Sequence, residues 1–151
     1  MQKLNLPHYD LKLKRQDGKA MVFDPFRSKY LVLTPEENVR QHFAQYLIQE
    51  KGFPAALMMT EYSLSLNTMK KRCDIIVFNT SRQPVLLVEC KSPDVNITQD
   101  VFDQVARYNI VFRVNYLIVS NGLKHYCCKV NFDSGRIDFL SEIPAYDSFK
   151  G

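Results

Sequence analysis

Two nearly unbroken apolar runs sit in the middle of the chain, CDIIVF at 73–78 and VLLVEC at 85–90. A strand that faces water on one side alternates apolar and polar residues, whereas runs like these belong to strands buried on both faces. A sheet with such strands at its centre needs cover above and below, and the flanking sequence offers helices for it. Thr34-Pro35-Glu36-Glu37 reads as a helix start, with Thr34 as N-cap and Pro35 in the first turn. Val39, Phe43, Tyr46 and Leu47 then form one apolar stripe, and Gly52 with Pro54 closes the helix. A second helix is expected from about Thr98 to Phe112.

The other strand candidates are Leu57 to Leu66, Tyr116 to Ser120, Leu123 to Val130 and Ile137 to Leu140. Asn121-Gly122 and Asp133-Ser134-Gly135 supply turns between them. An opening hairpin, about 11–23, turns at Asp17-Gly18. The expected organisation is one α/β domain over 1–151, with its core at about 34–130 and a last strand at about 135–140.

Composition mainly excludes. At 151 residues, 46% apolar and 24% charged, the chain is an ordinary globular length and balance. No apolar run reaches the length of a membrane span, and MQKLNLPHYD has no signal-peptide block, so a cytoplasmic protein without a membrane anchor is expected. Neither GxxxxGK[ST] nor GxGxxG occurs, which removes phosphate-loop and dinucleotide chemistry. Cys73, Cys90, Cys127 and Cys128 have no zinc-site spacing and read as buried free thiols. A net charge of +4 is compatible with nucleic acid and does not single it out.

The chemistry-bearing residues lie where the two apolar runs end. If 73–78 and 85–90 pair antiparallel across a four-residue loop, 80–83, Asn79 meets Pro84 and Asp74 stands opposite Glu89. Directly opposed residues share a face, and Lys91, two beyond Glu89, points the same way. Cys73 and Cys90 obey the same sum and are expected as neighbours on the other face. Opposed like charges destabilise a strand pair unless a cation neutralises them. Mg²⁺ suits such a place, taking one or two carboxylates, water and phosphate oxygens. The Cys90 backbone carbonyl is a further candidate ligand, and Lys91 could orient a water or neutralise charge on phosphorus oxygens. The plainer alternative keeps Glu89 and Lys91 as a strand-end ion pair, with Asp74 a partner for Arg72 or Lys71. Glu61, on the preceding strand, is an outlying candidate for the same site.

At these residues the sequence resembles the PD-(D/E)xK nuclease superfamily, and more narrowly the N-terminal nuclease domain of type I restriction enzyme R (motor) subunits. The resemblance rests on TPEENVRQ at 34–41, KRCDIIVF at 71–78, PVLLVECKSP at 84–93 and QVARYN at 104–109. Cys73 stands where the superfamily usually has proline, and the motor that makes up most of an R subunit has no counterpart in this sequence.

The resemblance implies a restriction-endonuclease-like three-layer α/β/α fold with a central mixed sheet. It implies a Mg²⁺-dependent deoxyribonuclease, with Mn²⁺ substituting, in which Asp74 and Glu89 bind the metal and Lys91 assists the nucleophile. Glu37 is implied as a helix carboxylate completing the site, and Gln104 and Tyr108 as substrate-positioning residues. Each has a local alternative. Glu37 lies three residues after Thr34, the spacing of a capping box, and Gln104 with Tyr108 could simply share a helix face. Lys70, Lys71 and Arg72 are candidate phosphate contacts or a solvated strand entry. DNA is the expected partner, with a motor or specificity subunit encoded elsewhere. A homodimer would suit double-strand cleavage, although no residue argues for one. The rival expectation is a catalytically weak, nuclease-like DNA-binding or assembly module.

Overall fold

The computed structural model describes residues 1–66 and 69–149. The expected domain, 1–151, also includes Asn67, Thr68, Lys150 and Gly151, which lie outside the described residues. In chain order the elements are β1 Leu13–Gln16, β2 Lys19–Asp24, β3 Lys29–Val32, α1 Pro35–Lys51, β4 Met58–Leu66, β5 Met69–Phe78, β6 Pro84–Cys90, α2 Gln99–Asn109, β7 Tyr116–Ser120, β8 His125–Val130 and β9 Ile137–Leu140.

The opening hairpin has a third strand that the sequence reading lacked. β1, β2 and β3 form their own antiparallel sheet. Asp24 makes the reversal possible: its Oδ1 accepts the N–H groups of Phe26 at 2.7 Å and Arg27 at 3.2 Å. The segment therefore turns back along β2, where DPFRS alone reads as a loop leading to the helix.

α1 begins as expected, with Thr34 Oγ1 accepting the Glu37 N–H at 3.0 Å. Gly52 closes it at φ 73°, a left-handed position that glycine adopts without a Cβ penalty. The capping box is only half present. The Glu37 carboxylate does not reach back to Thr34, whose N–H bonds the Val32 carbonyl; it turns instead to Arg40 and Gln41.

β4 to β9 form one six-stranded sheet in sequential order. Only the β6–β7 pair is parallel, joined through α2, so the sheet is mixed. On one face Val39, Phe43 and Leu47 of α1 pack on Ile75, Val77, Leu86 and Val88. On the other, Phe102 and Val105 of α2 cover Ile76, Leu87, Leu117 and Val119. This is the α/β/α layering that doubly buried central strands require.

The β5–β6 register keeps the expected sum through Ile75↔Val88, Ile76↔Leu87 and Val77↔Leu86. The turn differs. Phe78 pairs with Pro84, and the Asn79 N–H bonds the Gln83 carbonyl at 2.8 Å, so the loop is tighter than the expected 80–83. Asn79 drives this, its side chain accepting the Ser81 and Gln83 N–H groups, each at 2.9 Å. The register shift between Val77 and Phe78 absorbs the difference, and the pairing beyond it is untouched.

Cys73 and Cys90 are not neighbours on one face. Cys73 packs on the α2 side with Ile76 and Leu87, and Cys90 on the α1 side with Ile75 and Val88. The alternation breaks at Asp74. Its opposite number on β4, Glu61, has φ 50° and drops out of the ladder between Thr60↔Ile75 and Tyr62↔Cys73. All four cysteines are free and buried. Among the described residues no helix is long and apolar enough to cross a membrane.

Candidate functional site

The break at Asp74 opens the site. The β5–β6 pairing ends at Ile75↔Val88, next to Asp74 and Glu89, and on the other side of β5 Glu61 drops out of the β4–β5 ladder beside Asp74. Three neighbouring strands thus bring carboxylates to one cleft. Lys91 follows β6 directly, its N–H held by the Ser120 carbonyl at 2.8 Å. Glu36, Arg40, Glu61, Arg72, Asp74, Glu89, Lys91, Gln104, Tyr108 and Asn109 line one cleft there.

Both Asp74 oxygens are engaged. Oδ2 accepts the Cys90 N–H at 2.6 Å, which ties the Glu89–Cys90 peptide to the aspartate. Oδ1 accepts from Arg40, through Nη2 at 2.7 Å and Nε at 3.3 Å. Glu89 is the less satisfied member: its Oε1 is buried with no hydrogen-bond partner among the described residues. Burial, the charge of Asp74 and hydrogen bonding to that carboxylate push Glu89 up to about 9, while Lys91 and Asn109 oppose the rise. Glu36 is also raised, first by burial and then by Asp74, against the pull of Arg40 and Lys91. Two acids that cannot both ionise cheaply are the expected consequence of packing like charges together.

Arg40 lines the cleft beside the expected residues. Burial opposes its charge, but Asp74 and Glu37 more than offset that and hold it above its ordinary value. Its guanidinium also bonds Glu61 at 2.8 Å and Glu37, and approaches Glu36 at 3.7 Å. Available signals were its spacing, three after Glu37 and four after Glu36, and its place beside the buried Val39 stripe.

Of the expected site residues, Asp74, Glu89, Lys91, Gln104 and Tyr108 are brought together. Glu36, not Glu37, is the α1 carboxylate that lines the cleft. Glu37 faces the other way, bonding Arg40 and Gln41 and lying 3.7 Å from Arg27. Among the three basic candidates only Arg72 reaches the cleft, where it bonds Glu61 at 3.1 Å. Lys71 lies 4.1 Å from the centre of the Tyr108 ring, and Lys70 is exposed. The Tyr108 hydroxyl accepts the Arg72 N–H at 3.3 Å, tying α2 to β5 at the rim.

The donors suit a hard divalent cation: carboxylate oxygens, one of them without a hydrogen-bond partner among the described residues. The carboxylates are not closed into a cage. Among the described residues no three of His, Cys, Asp and Glu are grouped ready to hold an ion, and the Arg40 guanidinium stands between the acids.

Residues 35–144 match the family described as type I restriction enzyme R protein N terminus. Among solved structures, the chain is similar to a fragment described as an HsdR subunit of a type I restriction enzyme from Vibrio vulnificus YJ016. The TM-score is 0.55 at 18% identity, covering 76% of this chain and 24% of that one. No curated protein matches the chain.

Proposed function

Because the chain belongs to the family of type I restriction enzyme R protein N termini, we propose that its cleft is a Mg²⁺-dependent phosphodiester-hydrolysing site acting on DNA. The observation that carries the reading is the convergence of Asp74, Glu89 and Lys91 in one cleft, with Glu89 Oε1 buried and without a hydrogen-bond partner among the described residues. A carboxylate oxygen in that state costs free energy unless a proton or cation meets it.

Asp74 and Glu89 would hold the cation, with the Cys90 carbonyl beside them. When bound, the ion supplies polarisation of the phosphodiester and a lowered pKa for a coordinated water. Lys91 donates hydrogen bonds toward the attacking water or the phosphate oxygens that gain charge. Gln104 offers an amide at the same wall. Tyr108, fixed by its Arg72 and Lys71 contacts, shapes the rim against which a nucleotide would rest. Arg72, at the mouth, is placed to meet a phosphate.

The chain spans about a quarter of the length of the HsdR fragment that it resembles. The DNA partner of this reading would be brought to the cleft together with a motor or specificity subunit. One observation favours a second reading, a weakly active DNA-binding or assembly module: both Asp74 oxygens are already engaged by protein groups.

Cleavage of plasmid DNA in Mg²⁺ and in Mn²⁺ by the full chain, beside Asp74→Ala, Glu89→Ala and Lys91→Ala, tests the assignment. Strand breaks by the parent alone, with all three variants folded, are expected. Equal cleavage by parent and variants would remove the assignment. DNA binding without metal and without cleavage would favour the module.

A further inference from the structure

The Arg40 side chain is 8% exposed and lies among the carboxylates of Glu36, Glu37, Glu61 and Asp74, all within 4 Å. Its donors are divided by position. Nη1 goes to Glu37, Nη2 bridges Glu61 and Asp74, and Nε adds a longer bond to Asp74 Oδ1. Only a planar fork with several fixed donors serves three acids on different elements at once; an ammonium on a flexible stem does not.

The arrangement has a consequence for metal binding. Asp74 Oδ2 accepts a main-chain N–H fixed by the sheet, so Oδ1 is the oxygen whose partner can move. Two cations compete for one carboxylate oxygen, and their mutual repulsion in a partly buried cleft is far larger than in water. Arg40 is not left unpaired if it lets go, because Glu36, Glu37 and Glu61 remain in reach. Glu61 in turn is held by Arg72 from outside and by its left-handed backbone, φ 50°, a conformation that persists only where surroundings enforce it.

We propose that Arg40 is a positioning residue that serves as the resident cation of the metal-free cleft and gives up Asp74 Oδ1 when a divalent ion binds. The inference rests on the metal-site reading above. It makes the guanidinium a competitor of the ion, so removing it strengthens metal binding while weakening the empty protein. A residue that merely shaped the site would weaken both.

Calorimetric titration of Mn²⁺ into the full chain, into Arg40→Gln and into Arg40→Lys reads the effect, with thermal unfolding of each in EDTA and in Mn²⁺. Arg40→Gln should bind Mn²⁺ roughly tenfold more tightly or better, unfold at lower temperature in EDTA, and recover more in Mn²⁺ than the parent does. Arg40→Lys, which keeps the charge and the fold but loses the fork, should fall between the two in affinity. It carries the test alone if Arg40→Gln does not fold. Mn²⁺ affinity equal to or weaker than the parent's in the folded variants overturns the proposal. A parallel Asp74→Asn titration separates the failures. Binding lost there but unimproved by the Arg40 changes sinks only the role of Arg40; binding unchanged there sinks the metal-site reading and the proposal with it.

Discussion

At the scale of single residues, strand arithmetic brings Asp74, Glu89 and Lys91 to one cleft but misplaces Cys73 and Cys90, and what depends on tertiary packing is hidden from it. Asp74 and Glu89 share a register sum that can be read from the sequence, and Lys91 follows by alternation. Arg40 approaches Asp74 from 34 residues away along the chain, on a different layer, and no local pattern forecasts that contact. The choice of Glu36 over Glu37 was hidden for a related reason. Adjacent helix residues point about 100° apart, and only the seating of α1 decides which one meets the cleft. Glu89 also gives a pH prediction. Its carboxyl is pushed up to about 9 in the folded protein, from an unfolded value near 4.5. The folded state therefore holds the proton more tightly, and stability contributed by protonated Glu89 is full below the unfolded value and lost as pH rises toward 9. Glu89→Gln should consequently stabilise the metal-free protein, by more at pH 8 than at pH 5. Thermal unfolding in EDTA at the two pH values checks this. A variant equally or more destabilised at pH 8 would contradict it. Comparing parent with variant cancels the opposing contributions of His42 and His125, both of which are lowered by burial.

At the scale of elements, periodicity and punctuation located both helices and the central strands because those signals are local. β3 escaped notice because its existence depends on Asp24, a buried side chain that both caps the preceding turn and bonds Thr60 of β4 at 2.7 Å. Such a carboxylate reads from sequence as a loop residue. The tighter β5–β6 turn escaped for the same cause, the side chain of Asn79 replacing main-chain partners. The α1 start can be tested directly. Thr34→Ala removes the acceptor for the Glu37 N–H and should cost about 1 kcal/mol in urea unfolding. Thr34→Ser should cost much less. Because Glu37 meets Arg40 through this first turn, Thr34→Ala should also lessen the benefit of Mn²⁺ to the melting temperature. No change in either measurement would show that tertiary contacts alone set this helix end.

At the scale of the whole molecule, charged side chains gather where Glu61 drops out of the β4–β5 ladder beside Asp74, between the ends of the two covering helices. Glu61 and Asp74 come from within β4 and β5 and Glu89 from near the end of β6; α1 enters with Glu36 and Arg40; α2 brings Gln104 and Tyr108. The fold thus explains why residues scattered from 36 to 109 form one cleft, and why a sequence reading centred on D…ExK recovered about half of its wall. The measurement closest to the central claim is a calorimetric titration of Mn²⁺ into the protein and into Asp74→Asn with a short DNA duplex present. Saturable binding by the parent, lost in the variant, is the predicted result. Binding that survives Asp74→Asn, or that neither protein shows, would contradict a carboxylate metal site at Asp74 and Glu89.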